Sequence, residues 1–295
     1  MRRFLLAAVM FGTAFAARAA DLADLPVLRG SFPAGLSTTT RNWDGWYAGG
    51  QVSYSAMASD FSNSIVGLTN FIFRDSVLQQ PASQFGLLAK TTTQGTGFGA
   101  FVGRNYQWED LVFGLEANYN YFNGLSTSTH ASNSLDIVNP PGQVNPPGVT
   151  TTYNVTLTGR AAAQIKDAIT FRGRAGWATG NFLPYAFAGI AVGRMDVSRS
   201  VTSAVTRRDD TTTTNILGVT TTTFGPTFFV PAQSQTLVEQ RTNAFAAGWT
   251  AGLGLEYMLW DCVFMRGEWE YVKFLAVKNT VVQANNLRAG IGYKF

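Results

Sequence analysis

The sequence predicts an all-β fold, an eight-stranded antiparallel up-and-down β-barrel that crosses a membrane and carries long extracellular loops. Three observations predict it. Apolar residues alternate with small or polar residues along eight segments, which is the period of a strand with two different faces. Beyond the N-terminal region, no stretch reaches the roughly 20 apolar residues that a membrane-spanning helix needs. Long and short connections between the eight segments also alternate along the chain.

The last segment, 287–295, shows the alternation clearly. Every second position is apolar, and the positions between them are glycine or basic. The apolar set ends on the aromatic residues Tyr293 and Phe295. Such a strand places one face against lipid and its aromatic end at the bilayer interface.

The first residues have the pattern of a secretory signal. Two arginines, Arg2 and Arg3, precede an apolar run from Phe4 to Phe15, and small residues follow at 17–20. We therefore expect a signal peptide at 1–19 and a periplasmic lead-in segment at 20–45. The transmembrane barrel domain is expected at 46–295.

The signal also accounts for the positive charge of the chain. The full sequence has 22 Lys and Arg against 18 Asp and Glu. Three of the arginines lie in or beside the signal, so the remainder carries 19 minus 18, a net charge of about +1. This balance gives no reason to expect a nucleic-acid partner. The single cysteine, Cys262, excludes an internal disulfide.

Eight strands are predicted from the alternation, and the facing of the fifth stays open because both of its faces are apolar. The predicted strands are 46–56, 94–107, 111–122, 164–178, 182–195, 242–258, 262–274 and 287–295.

Three of the connections are long, at 57–93, 124–159 and 197–241, and these alternate with short turns. Two Pro-Pro-Gly clusters, at 140–142 and 146–148, exclude an interior strand where they occur. Long loops gathered at one end and tight turns at the other are typical of a barrel in the outer membrane. A soluble sandwich has no reason to show this asymmetry.

Several segments resemble the small outer-membrane β-barrel proteins of alphaproteobacteria, which include the Brucella-type surface antigens and are more distantly similar to the OmpA transmembrane barrel. The matching segments are 99–108, 112–116, 171–177, 183–185, 252–257 and 287–295.

The resemblance implies an eight-stranded barrel and a structural or host-facing role without a catalytic residue. It also implies that Tyr293 and Phe295 form the signal read by the outer-membrane assembly machinery. Two features depart from the family: Arg104 stands where a tyrosine is frequent, and the long loops are larger.

Four acidic and four basic residues fall on the inward face of the predicted strands. They are Glu116, Arg172, Arg174, Glu256, Arg266, Glu268, Glu270 and Arg288.

About eight strands leave room only for side chains, and buried charges must be paired. We therefore expect a lumen ion-pair network that plugs the barrel. At Glu116, Arg174, Arg266 and Glu268 the sequence resembles the interior ion-pair cluster of OmpA-type barrels. A gate whose pairs exchange to pass small ions and a catalytic role for these acids are the alternatives.

Other reactive residues are few. His130 is the sole histidine and lies in a polar connection, so we expect neither a metal site nor a cofactor there. The same scarcity argues against a Ser-His-acid hydrolase, and the chain is predicted not to be an enzyme. Cys262 lies beside a short turn and is expected to be an unpaired small residue, with a mixed disulfide as the alternative.

The predicted function is structural: a barrel in the outer membrane of a Gram-negative bacterium, contributing to envelope integrity and to surface interactions. Its expected partners are outer-membrane lipid, the assembly machinery and a host or surface ligand held by the loops. A monomer is expected. The alternatives are a small-solute porin and a loop-based adhesin. Threonine runs at 211–214 and 220–223 are interpreted as solvated loop residues, with an adhesive surface as the alternative.

Overall fold

A computed structural model describes residues 41–83 and 86–295. The predicted signal, 1–19, and most of the predicted lead-in lie outside the described residues. The ten strands are β1 Gly45–Asp60, β2 Lys90–Trp108, β3 Leu111–Val138, β4 Val149–Trp177, β5 Phe182–Thr214, β6 Thr220–Thr223, β7 Thr227–Phe229, β8 Thr236–Met258, β9 Val263–Phe274 and β10 Val281–Lys294. Two short helices, α1 Val66–Ile72 and α2 Gln79–Ser83, lie between β1 and β2.

Eight of the strands close into an antiparallel ring. The order around it is β1, β2, β3, β4, β5, β8, β9 and β10, and β10 pairs with β1 again. Every adjacent pair is antiparallel, which confirms the predicted eight-stranded barrel. Neither helix in the described ranges has the length and apolar content of a membrane-spanning helix.

The long connections are built largely of strand, which the sequence interpretation missed. Strands β3, β4, β5 and β8 continue far past their predicted ends and form a four-stranded extension of the wall. On β3 the extension from Leu125 to Val138 is about 45 Å long at about 3.3 Å per residue. Half of its residues are serine, threonine or asparagine, so the polar outward face hid the alternation. The Pro-Pro-Gly clusters lie at the tip between β3 and β4, outside any strand, as predicted.

A line of register shifts separates the ring from the extension. The shifts fall between Tyr121 and Leu125 on β3, between Ile165 and Asp167 on β4, and after Met195 on β5. They lie at one level, because Ile165 pairs with both Leu125 and Met195. Bulges bend a strand and increase its twist, so this line marks the extracellular rim of the barrel.

The outward face of the ring is apolar and has aromatic residues at its short-turn end. Trp46, Tyr106, Trp108, Trp177 and Tyr293 are all about half exposed or more. Lipid is the environment in which so continuous an apolar surface is stable. The sequence did not assign which residues of the fifth strand face inward, and the structure does. The inward residues of this strand include Leu183, Tyr185 and Phe187, and its outward residues include Phe182 and Ile190.

Two buried apolar clusters fill the two ends of the interior. The lower cluster, at the short-turn end, consists of Trp43, Tyr47, Phe101, Val112, Ala178, Leu183, Tyr185, Phe187, Met258 and Phe264. The upper cluster joins the described residues of the segment 61–88, which are 61–83 and 86–88, to the inner face of the extension; α1 and α2 lie in this segment. Ile65 fits over Gly159 of β4, where an added Cβ would lie 2.8 Å from the Ile65 Cδ1. The segment 61–88 therefore covers the extracellular mouth.

The residues just before β1 cross the opposite mouth. The Trp43 side chain is buried, its backbone N–H donates to the Gln107 side chain at 2.6 Å, and its ring lies 6.3 Å from that of Phe264. The Arg41 guanidinium pairs with Asp261, in the turn between β8 and β9. Because this turn and Gln107 lie on separate parts of the ring, residues 41–44 span the opening at its short-turn end.

Candidate functional site: the charged lumen

The eight charged residues predicted to face inward all lie inside the ring, and none is more than 4% exposed. Glu116 is on β3, Arg172 and Arg174 on β4, Glu256 on β8, Arg266, Glu268 and Glu270 on β9, and Arg288 on β10. Alternation places each of them toward the lumen. Four carboxylates face four guanidiniums, so the layer carries no net charge.

Glu116 lies at the centre of the layer. Arg172 donates to its Oε1 from Nε at 2.9 Å and from Nη2 at 2.6 Å. Arg266 donates to its Oε2 at 2.8 Å, and Arg174 does so at 3.4 Å. The Tyr47 hydroxyl donates a further bond to Oε2 at 2.8 Å. One carboxylate therefore holds three guanidiniums from two strands.

The other three carboxylates extend the network across the lumen. Glu256 forms a bidentate pair with Arg174, with both N···O distances at 2.7 Å. Glu268 accepts from Arg172 and from the Tyr185 hydroxyl, each at 2.5 Å. Glu270 pairs with Arg288. Bidentate, charge-assisted pairs of this kind are the strong hydrogen bonds of protein interiors.

Cross-strand register also places acids directly opposite bases within the layer, and Glu116–Arg172 is both an opposed couple and a close ion pair. Glu116 is opposite Arg172, Glu256 is opposite Arg266, and Glu268 is opposite Arg288. Directly opposite residues have neighbouring Cβ atoms, so the strands themselves bring the charges together. Glycines make the space: an added Cβ at Gly254 would lie 2.3 Å from the Tyr185 ring. The glycines of the inward faces thus leave the space that the large lumen side chains occupy.

Aromatic and amide residues complete the layer, and an inventory of charges alone missed them. The Arg266 guanidinium carbon lies 3.4 Å from the Phe101 ring centroid, and that of Arg174 lies 4.0 Å from the Tyr185 centroid. The Gln51 amide donates to Asn118 at 2.6 Å, and its oxygen accepts from Arg266 at 3.0 Å. Phe101, Gln51 and Asn118 fall on the predicted inward alternation, whereas Tyr185 lies on the fifth strand, whose facing the sequence left open. Their role depends on which rings and guanidiniums contact each other across the lumen, and the alternation pattern does not predict those contacts.

The remaining reactive residues lie apart from this layer. His130 is exposed on the outer side of the extension, opposite Arg160 on β4. Cys262 is exposed in the short turn before β9. Within the described ranges, no cluster of His, Cys, Asp and Glu side chains has a geometry that could hold a metal ion.

A closed ring with a lipid-compatible outer face, aromatic residues at its short-turn end and a charge-balanced interior defines a transmembrane β-barrel. The chain belongs to the family described as outer membrane protein beta-barrel domain, whose model matches residues 4–295. This membership places the protein in the outer membrane of a Gram-negative bacterium.

The chain is also similar to individual proteins. It is 24% identical over 215 residues to the 25 kDa outer-membrane immunogenic protein of Brucella ovis, which covers 70% of each chain. The predicted resemblance to Brucella-type surface antigens is thus confirmed. Neisserial surface protein A has 13% identity, a TM-score of 0.35 and coverage of 85% of this chain and 97% of its own. Ail of Yersinia pestis has 10% identity, a TM-score of 0.32 and coverage of 85% and 99%.

Proposed function

We propose that the protein is a structural, non-enzymatic barrel of the outer membrane with a plugged lumen, and that it acts in envelope integrity. The observation that carries this proposal is closure at three levels. Trp43 and the lower apolar cluster fill the periplasmic end. The eight-residue charge layer fills the middle, and the segment 61–88 covers the extracellular mouth.

The energetics of the charge layer favour a plug over a gate. A buried ion pair that loses one partner leaves an uncompensated charge, which costs about 3 to 5 kcal/mol. Glu116 is shared by Arg172, Arg174 and Arg266, so moving any one arginine disturbs several pairs at once. Ions would also have to pass both apolar clusters, where charge is poorly solvated.

Single-channel recording in planar bilayers tests this function. We expect the refolded wild type to be silent or to show rare small openings. Glu116→Ala and Arg266→Ala should make those brief openings more frequent, because each removes part of the central pairing, but should not give steady conductance while both apolar clusters stay in the path. A steady large conductance in the wild type would identify a small-solute porin instead.

A second function, binding of a surface ligand, is favoured by the outermost part of the extension. The hairpin that joins β5 to β6 carries Ile216 and Leu217 at its tip, both almost fully exposed. Threonine hydroxyls pair across its strands, as between Thr212 and Thr222 at 3.2 Å. Exposed apolar side chains held on an ordered hairpin are typical of a protein contact.

Point variants test ligand binding better than removal of the whole connection. Deleting 197–241 would remove Val201 and Val205, which are buried in the upper cluster, and would therefore disrupt the extension itself. The double variant Ile216→Ser with Leu217→Ser leaves that core intact. Loss of binding to host-cell or extracellular-matrix preparations in this variant, with retention in Thr213→Ser, supports an adhesin. Equal binding by both variants excludes this tip as the contact.

We further propose that Tyr293 and Phe295 are read by the assembly machinery and that the barrel acts as a monomer. The two rings pack edge to face, with centroids 5.2 Å apart, and both are exposed at the periplasmic end of β10. Phe295→Ala should lower the yield of folded protein in the membrane while leaving the refolded barrel stable in vesicles. Unchanged membrane yield would exclude the signal.

A further inference from the structure

Arg104 is an unusual residue on the lipid-facing surface. It projects outward from β2, between Trp46 on β1 and Leu115 on β3. Other outward charges of the described barrel wall, the Asp167–Arg194 pair and Lys273, lie near the extracellular rim. Arg104 lies toward the opposite end, close to the aromatic residues of the short-turn side.

The positive charge of Arg104 has no protein anion beside it. Its guanidinium carbon lies 4.8 Å from the Tyr106 ring centroid and 5.6 Å from that of Trp46. In the described part of the chain no carboxylate forms an ion pair with it, and its buried Nε has no hydrogen-bond partner. The two rings stabilise a cation but do not neutralise it. An arginine at a lipid surface needs an anion or water for its donors.

An apolar groove of about 640 Å³ adjoins Arg104 on the same surface. Val102, Leu115, Phe171 and Ile190 are among its walls, and Gly173 lies in its floor. A Cβ added at Gly173 would have no atom within 4 Å, so the groove is open above this glycine. The groove therefore sets an apolar depression beside one unneutralised cation.

We infer that Arg104 and this groove bind one phospholipid of the periplasmic leaflet, with the phosphate on the guanidinium and an acyl chain along the groove. A phospholipid supplies both required chemistries in one molecule. The planar guanidinium suits phosphate oxygens, which accept two parallel hydrogen bonds. Trp46 and Tyr106 place the site at the interfacial height where headgroups lie.

Native mass spectrometry of the refolded full chain tests the inference. The protein is reconstituted in nanodiscs of phosphatidylethanolamine and phosphatidylglycerol, transferred to mild detergent, and weighed with its retained lipids. We expect one retained phospholipid on the wild type. Arg104→Gln should lower the retained fraction about tenfold, as expected for loss of one charge-assisted contact.

Two matched controls separate the site from general effects on the barrel surface. Gly173→Val should also release the lipid, because its side chain fills the groove. Gly267→Val is the control, since Gly267 is equally open on the lipid face of β9 but does not line the groove. Lys273→Gln removes a charge near the other rim and should keep the lipid. The proposed site would be overturned if Arg104→Gln or Gly173→Val retained as much phospholipid as the wild type. It would also be overturned if Lys273→Gln lost as much phospholipid as Arg104→Gln.

Discussion

Among the individual residues, Glu116 has the most consequential position. Its two oxygens accept from three arginines and from Tyr47 at the centre of the lumen. We expect Glu116→Gln to lower the free energy of unfolding by about 3 to 5 kcal/mol, because it leaves buried guanidinium charge uncompensated. Urea unfolding in lipid vesicles, followed by tryptophan fluorescence, measures the change.

The matched control is Glu109→Gln, in the exposed turn between β2 and β3. It removes the same charge outside the lumen and should change the unfolding free energy by less than about 0.5 kcal/mol. Similar losses in the two variants would mean that the lumen pairs add little to stability.

The segment before β1 is the first element with a testable role. Trp43 is 1% exposed and fills the periplasmic end of the interior beside Phe264. We expect Trp43→Ala to cost about 3 to 5 kcal/mol of unfolding free energy through the cavity it leaves. Urea titration in vesicles measures this, with Trp260→Ala as the control. Trp260 is 68% exposed in the turn before β9, so its loss should leave the midpoint unchanged.

The cover over the extracellular mouth is held partly by charge. Arg199 donates to the Ser64 carbonyl and to the Lys278 carbonyl, and Glu239 pairs with both Arg199 and Lys278. Hydrogen bonds from Lys278 and Arg199 lower the pKa of Glu239 below its usual value. A carboxylate with a lowered pKa stabilises the fold above its unfolded pKa of about 4.3, and this contribution is lost as pH falls through the folded pKa.

Lowering the pH should therefore destabilise the cover over the extracellular mouth before it destabilises the ring. The protection of the amides of residues 61–83 against hydrogen exchange, taken relative to the intrinsic rate at each pH, should fall as the pH falls from about 5 to 3, while the ring strands stay protected. Glu239→Gln should exchange faster than wild type at neutral pH and should lose this dependence on pH. A wild-type cover whose protection is flat across that range would show that the Glu239 contacts do not hold it.

For the whole molecule, the three closures act in series. Removing one of them leaves two layers in the path, so Trp43→Ala alone, or replacement of 62–88 by a short glycine-serine linker alone, should stay without steady conductance. The two changes combined with Glu116→Ala should give steady conductance in planar bilayers. A barrel that conducts steadily after loss of the cover alone would mean that the charge layer does not block ions.

The extension also divides the molecule by environment. Below the line of bulges the outward face meets lipid, and the interior holds the charge layer and the lower apolar cluster. Above it the outward face is polar, and the interior is an apolar core with α1 and α2. The outward faces of the two regions thus differ in polarity, because water surrounds the extension and lipid surrounds the ring.

The sequence by itself determined the eight-stranded ring, its short turns and the inward position of eight charges. It could do so because a period of two assigns each residue to one face, and because lipid demands a continuous apolar face. The same period puts Arg104 on the outward face of its strand, beside Trp46 and Tyr106.

Only the tertiary structure decided the rest. The extension of β3, β4, β5 and β8 is stable because its inner face packs on Ile65, Phe73 and their neighbours, which are distant in sequence. Trp43 has no alternation around it, and its burial depends on Phe264 and Gln107 across the opening. Which arginine pairs with Glu116 likewise follows from ring closure and register. Such contacts join residues far apart in the chain, and a local pattern carries no information about them.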